Sequence, residues 1–335
     1  MFVYLDITNE FEHFLDIKEP RAQKNLIMKQ ILALIFLALI SISSTTTKQI
    51  VQKPSIAFSF DDGNPEDILN YKGAEWNAMI LNQLKKYNIQ SVWFVCASGV
   101  DNEEGKLLLQ KWDQAGNYIA NHTYNHPNYN DTLTTSANLI KEIRSCNDLI
   151  YRYKNYKKIF RFPYLKSGNT IAKRDEMRAY FKQNGYRQGW VTIDASDWYI
   201  SSRLVKRLKE NPKADIQGFR TYYINHIFDR AQYYNNLSTA INHRQIKHTL
   251  LLHFNLTSAL FLTDLIEKFK KEGWEIANYS DAIKDPVYNE LPAGMPAEQS
   301  LIWAMAKQTG KFEKQLRYPG EDGEYEKDKM DKLGL

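Results

Sequence analysis

The chain has 335 residues, 43% of them hydrophobic, enough to bury a sizeable core as one large domain or two smaller ones. Its formal charge of +5 is mild, spread along the chain and unaccompanied by a basic, aromatic-interleaved motif, which argues against nucleic acid as a partner. Aromatic residues reach 13%, with 21 Tyr and 7 Trp, a content that suits either a surface stacking on sugar rings or the packed exterior of a barrel.

In chain order, residues 1–27 are polar and read as a mispredicted extension ahead of a true start at Met28. Residues 28–43 read as a secretory signal peptide: Met28 and Lys29 precede an apolar run from Ile31 to Ile42, and Ser41-Ile42-Ser43 supplies a small-x-small cleavage pattern. The run falls short of the roughly 20 apolar residues that a membrane span needs, so export to the periplasm or exterior, with no stable span after cleavage, is expected. A signal anchor is the alternative if Met1 is the start. Cys96 and Cys146, the only cysteines, allow one disulfide in an oxidising compartment or two buried free thiols.

Strand-like runs follow at 55–60, 90–96, 117–121, 158–162, 189–194, 249–253 and 274–277. They alternate with amphipathic stretches at 76–87, 105–115, 136–153, 171–184 and 260–272, and Gly116, Gly185 and Gly273 are placed as helix stops. Strand and helix in series imply a parallel sheet with both faces covered, and about seven units imply a distorted (β/α)7-type barrel. No glycine-rich phosphate loop follows the first strand, which weakens a dinucleotide-binding reading. Residues 199–247 interrupt the rhythm as a helical insertion before the sixth strand, forming either a lid over the site or a helical pair packed on the barrel side. A tail over 286–335 contains one expected helix, 297–309, and a charged end, 321–332, read as solvated surface.

In such a barrel, reactive groups gather where strands end, at the C-terminal face. Asp61 and Asp62 end the first strand. His122 and His126 follow the third, Arg161-Phe162-Pro163-Tyr164 closes the fourth, Asp194-Ala195-Ser196-Asp197-Trp198 the fifth, and Leu251-Leu252-His253 the sixth. Taken singly, each has an ordinary reading: two surface histidines, an Asp capping the turn before Gly63, a salt-bridge arginine, a core histidine. Two imidazoles and a carboxylate arriving at one rim make a first-row metal site, and the leftover carboxylate beside them is placed to act as a base.

These segments resemble the polysaccharide deacetylases of the NodB-homology group, metal-dependent carbohydrate esterases. The family's motifs, Thr-Phe-Asp-Asp-Gly, His-Ser/Thr-x-x-His, Arg-x-x-Tyr, Asp-x-x-Asp-Trp and Leu-x-His, all occur in family order between Ser59 and His253. The one departure is Ser59 for threonine, which keeps the hydroxyl. The resemblance covers about residues 54–285. It implies Asp62, His122 and His126 as the metal triad, holding zinc or, alternatively, cobalt, nickel or manganese. It further implies Asp61 as the general base, Arg161 as the residue orienting it, and Tyr164 as a backbone N–H donor to the oxyanion. His253 is implied as the general acid, with Asp194 as its expected carboxylate partner and Asp197 as runner-up. Trp198 and Leu251 are implied as pocket walls. The implied substrate is an acetylated polysaccharide or oligosaccharide, deacetylated by hydrolysis of a C–N amide bond. Rival readings are an amidase on a small non-sugar amide, an O-acetyl esterase on the same scaffold, and a non-catalytic carbohydrate-binding protein.

Overall fold

Strand β1 (Ser55–Asp62) is the axis of the fold. The computed structural model describes residues 29–30, 52–316 and 324–335, so the expected extension and signal segment lie outside the described residues apart from Lys29 and Gln30. Seven of the eight β1 residues are buried, the signature of a parallel strand covered on both faces. It pairs in parallel with β2 (Val92–Val95), with β6 (Lys247–His253) and, at its first two residues, with β7 (Glu275–Ile276). The strands β3 (Tyr118–Asn121), β4 (Tyr156–Phe160) and β5 (Arg187–Gln188) extend the sheet in the order β5-β4-β3-β2-β1-β6.

The expected fifth strand over 189–194 is shorter and displaced. β5 ends at Gln188; the chain then leaves β4 and crosses to β6, where Thr192 and Ile193 N–H both donate to Thr249 O at 3.1 Å and Leu251 N–H donates to Ile193 O at 3.0 Å. This crossing segment closes the hydrogen-bonded ring, giving the expected distorted barrel. Gly189 sits at the crossing because a Cβ there would lie 2.5 Å from the Phe94 ring.

Side chains alternate across the sheet. Ile56, Phe58 and Phe60 join the large outer core against the helices, while Ala57 packs with Phe94, Ala120 and Ile159 in a smaller inner cluster. Six of the seven Trp are buried and only Trp198 is exposed, so the tryptophans chiefly pack the interior.

Helices α1 (Gly73–Lys86), α2 (Glu103–Gln114), α3 (Ser136–Ile150), α4 (Ile171–Asn184) and α7 (Leu256–Lys271) cover the strands. Asn102, Thr135, Thr170 and Asn255 cap four of them by accepting a backbone N–H three residues on. The three expected stop glycines all have positive φ, from 69° to 82°.

The insertion forms two helices, α5 (Asp197–Glu210) and α6 (Gln217–Asn242). Tyr223 and Tyr234 of α6 are fully buried and belong to the outer core, so the pair packs on the barrel side and not as a lid. A short helix α8 (Tyr279–Ala282) follows β7. The tail helix α9 (Leu301–Thr309) is four residues shorter than expected, because Ala297 pairs with Gly168 in extended form.

The charged end of the tail is a correction. It forms helix α10 (Glu324–Lys332), in which Met330 and Glu326 are buried, and Arg203 of α5 binds Asp331 at 2.7 Å. Periodic burial of a few residues in a mostly charged segment carries little hydrophobic signal. Cys96 and Cys146 are free thiols.

Candidate active site

Strand register places the reactive groups on one rim. Asp61 is paired with His253 across β1 and β6, Asp62 with Val95 across β1 and β2, and Val95 with Asn121 across β2 and β3. Asn121 pairs with Phe160 across β3 and β4. His122 and Arg161 are the next residues along their strands, so groups from the ends of four strands, distant in sequence, meet at the C-terminal end.

Several of these residues hold backbone conformations that side chains usually avoid. Positive φ occurs at Asp62 (71°), Thr123 (73°), His126 (58°), Tyr164 (56°) and Ser196 (50°). Strain of this kind persists where surrounding contacts fix it, and it clusters at functional sites. Gly63 follows the aspartate pair with φ 124°, and a Cβ there would fall 2.2 Å from the Trp93 ring. Trp93 Nε1–H in turn donates to Asp62 O at 2.6 Å, so the turn presenting Asp62 is locked from beneath.

Asp62, His122 and His126 form a cluster whose ligand atoms all lie within 4.8 Å of one another. Asp62 Oδ1 is 3.5 Å from His126 Nε2 and 3.8 Å from His122 Nε2. That oxygen is buried without a hydrogen-bond partner. His122 Nδ1 is 2.8 Å from Arg161 O, which assigns the proton to Nδ1 and leaves the Nε2 lone pair toward Asp62. Burial, then His126, pushes the His122 imidazole down to about 3, and burial also lowers His126. Two neutral imidazoles and an orphaned carboxylate oxygen are the donor set that a divalent cation with an open position requires.

The loop bearing His126 is held from α3. Glu142 accepts the N–H groups of Tyr124 at 3.2 Å and Asn125 at 2.6 Å, and the Asn125 amide at 2.9 Å. His126 N–H donates to Thr123 Oγ1 at 3.0 Å. The sequence offered no signal for Glu142, whose role depends on helix-to-loop contact.

Asp61 is buried and paired through Oδ1 with Arg161 Nη1. Arg161 Nε–H donates to Gly189 O at 2.9 Å, and its guanidinium lies 3.8 Å from the Phe94 ring centroid. Burial raises the Asp61 pKa, opposed by Arg161 and His253. Its other oxygen, Oδ2, lies 3.7 Å from His122 Nε2 of that cluster.

The partner of His253 is Asp197, which corrects the preference for Asp194. Asp197 Oδ1 is 2.6 Å from His253 Nδ1, and Oδ2 accepts His253 N–H at 2.9 Å and the Asn255 amide at 2.8 Å. The strand contact ends at Ile193 and the chain turns through Ser196, so the first residue of α5 reaches behind the imidazole. Asp194, half-buried, has its carboxyl pushed up to about 6 by burial, and no hydrogen bond or ion pair joins it to His253. Burial works against charge on His253, but Asp197 by charge and hydrogen bond, with Asp62 and Asp61 behind it, prevails and the imidazole is pushed up to about 10.

Tyr164 is exposed, its ring centroid 4.5 Å from that of His126, in the short turn Pro163–Leu165. Trp198 is 45% exposed beside Asp197, and Leu251 is buried two residues before His253 on the same face of β6.

The family model described as polysaccharide deacetylase matches residues 48–189. The peptidoglycan-N-acetylglucosamine deacetylase of Bacillus cereus is 26% identical over 147 residues, 44% of this chain and 47% of the relative. The chain thus spans about half the length of the curated relative that it matches. Among solved structures, Bacillus subtilis PdaA, a family 4 carbohydrate esterase, aligns with TM-score 0.47 and 20% identity over 70% of this chain and 82% of that one. A CE4 family pseudoenzyme from Bacillus anthracis aligns with TM-score 0.48 and 18% identity over 70% and 66%.

Proposed function

We propose that this chain, which carries a polysaccharide deacetylase domain over residues 48–189, is a metal-dependent hydrolase that removes acetyl groups from N-acetylated sugars of a polysaccharide. The observation carrying this reading is the meeting of the Asp62, His122 and His126 cluster with an arginine-held aspartate on one side and an aspartate-held histidine on the other.

Zinc suits the two imidazoles and one carboxylate, with cobalt, nickel and manganese as alternatives. When bound, the ion supplies Lewis acidity toward a carbonyl oxygen and lowers the pKa of water. Asp61, with one oxygen committed to Arg161, has Oδ2 left to accept a proton from the attacking water, and burial raises its basicity. The Tyr164 N–H is assigned to the developing oxyanion, its ring lying against that of His126. His253, kept protonated by Asp197, delivers its Nε2 proton to the departing amine, releasing acetate and a free amino sugar. Trp198 and Leu251 are assigned to the pocket walls.

The apolar run Ile31–Ile42 supports export to the periplasm or exterior. Among the described residues no helix is long and apolar enough to cross a membrane.

The test is acetate release by purified, zinc-reconstituted full chain from N-acetylglucosamine oligomers, from an O-acetylated xylan and from small acetamides. Amine-generating turnover of the oligomers supports the reading. Turnover of only the ester or only the small amides replaces it with the corresponding rival, and binding without turnover favours a carbohydrate-binding protein.

A further inference from the structure

Helix α6 of the insertion and helix α10 of the tail meet behind the turn that carries Asp197. Between the last strand contact, at Ile193, and the start of α5, the chain runs Asp194-Ala195-Ser196-Asp197. Ala195 and Asp197 are wholly buried, and Ser196 between them has φ 50°. A left-handed serine is unfavourable and persists only where its surroundings hold it. His226 of α6 supplies such a hold: its Nε2 lies 2.8 Å from Ala195 O, which requires the proton on that nitrogen. Asp197 follows two residues later and holds His253 Nδ1 at 2.6 Å, so a displaced Ala195 carbonyl carries the imidazole with it.

His226 is itself held from two sides. The Tyr222 ring, one turn earlier on α6, stacks on the imidazole with centroids 5.6 Å apart and planes 5° from parallel. Glu326 of α10 brings Oε1 within 3.8 Å of the same Nε2. Both residues are buried, so little water screens that carboxylate. A negative charge beside Nε2 favours its proton, the one that the bond to Ala195 O needs. Helix α10 is in turn fixed to the helix that Asp197 begins. Arg203 binds Asp331 at 2.7 Å and also donates to Leu335 O, Arg207 donates to Gly334 O at 2.5 Å, and Met330 is buried in the outer core. Segments around residues 197, 226 and 326 thus form one unit behind His253.

We infer that His226 and Glu326 are positioning residues for deacetylation: through the Ala195 carbonyl they fix the turn that aims Asp197 at His253. The inference rests on the reading of His253 as the general acid. It gives the tail helix, which supplies none of the rim groups described above, a part in the reaction. Besides Asp197, the charged and titratable groups acting on His253 are Asp61, Asp62, Asp194 and His126, and the variants below alter none of them.

Two readouts on the zinc-reconstituted full chain test this: the alkaline limb of kcat and, without any need for turnover, the titration of the His253 ring followed by NMR. His226→Phe keeps an aromatic ring against Tyr222 and removes the N–H. It should move the His253 titration down from about 10 by about one pH unit. The kcat for an N-acetylglucosamine oligomer should then fall about fivefold at pH 10 and stay within about twofold at pH 8, with KM and zinc content unchanged. His226→Gln, whose amide N–H takes the place of Nε2–H, should restore most of the loss, and Glu326→Gln should shift the limb the same way by less. A His253 titration unmoved in both His226→Phe and Glu326→Gln, or moved as far in His226→Gln as in His226→Phe, overturns the assignment and leaves α10 a purely stabilising helix. If circular dichroism shows His226→Phe unfolded, Glu326→Gln decides alone. Absence of turnover with the titration shifted as expected strikes only the proposed reaction.

Discussion

On one side of the rim, Asp62, His122 and His126 stand with ligand atoms unmet: Asp62 Oδ1 is buried without a partner, and the two imidazoles are held neutral. On the other side, each side chain is held by a charged partner, while Asp61 Oδ2 stays open toward the cluster. Asp61 is gripped by Arg161, and His253 by an aspartate that also takes its backbone N–H and an asparagine amide. An unsatisfied buried oxygen costs about 1–3 kcal/mol, so it is tolerated where an outside group will meet it. Asp61 and His253 are instead each fixed in direction by a charged partner. The contrast separates atoms awaiting an external ligand from side chains already oriented by a partner.

The comparison breaks most visibly at Asp61. Asp61→Asn keeps shape and can still meet Arg161 but cannot accept a proton, so kcat for deacetylation should fall about 10²- to 10⁴-fold. Zinc content, measured by elemental analysis, should stay unchanged; an active variant, or one that loses zinc, places Asp61 on the unmet side. Next comes His122→Ala, which removes a ligand. Because loss of an outer-shell partner alone costs about 10- to 100-fold in metal affinity, loss of a direct ligand should exceed about 100-fold in a chelator competition. Unchanged zinc affinity would sink the triad.

This division was only partly legible in the chain. The Asp61-Asp62-Gly63, His122-x-x-x-His126 and Leu251-Leu252-His253 segments announce themselves, because apolar runs locate the strand ends and the polar residues stand just beyond them. The choice between Asp194 and Asp197 was not legible, since it turns on where the fifth strand stops. Gly189 takes the chain off β4 early and a left-handed Ser196 starts α5, neither of which a hydrophobic pattern records. Glu142 was likewise silent, being one acidic residue on an amphipathic helix. The burial of α6 follows from aromatics at helical spacing, yet whether such a face covers the site or the barrel side is decided only by tertiary packing.

The aspartate that won this choice offers a third test, through pH. His253 has a folded pKa raised from 6.5 to about 10, so its stabilising charge is fully present below 6.5 and is lost as pH rises through about 10. Asp197→Asn should return the imidazole toward its ordinary value. With pKa near 6.5 the protonated fraction at pH 8 drops about thirtyfold, and at pH 6 by less than twofold. The alkaline limb of the kcat profile should move down accordingly, and the loss of rate should be nearly repaired at pH 6. Asp194→Asn should leave that limb in place. An alkaline limb unmoved by Asp197→Asn, or moved equally by Asp194→Asn, would mean that His253 is not held as described.

The smallest expected effect lies in the support beneath the unmet side. Glu142 receives three hydrogen bonds from the loop between His122 and His126, and that loop includes two positive-φ residues, Thr123 and His126. Without the carboxylate the strained loop can relax, moving His126 relative to Asp62 while His122, anchored on β3 and to Arg161 O, stays. Glu142→Ala should therefore weaken zinc binding about tenfold, the lower bound for loss of an outer-shell partner, and raise the zinc concentration needed for half-maximal activity in step. At saturating zinc, kcat should recover, because Asp61 and His253 do not depend on this loop. A kcat deficit persisting at saturating zinc would show that the loop also positions the substrate, and would join the two sides of the rim into one mechanical unit.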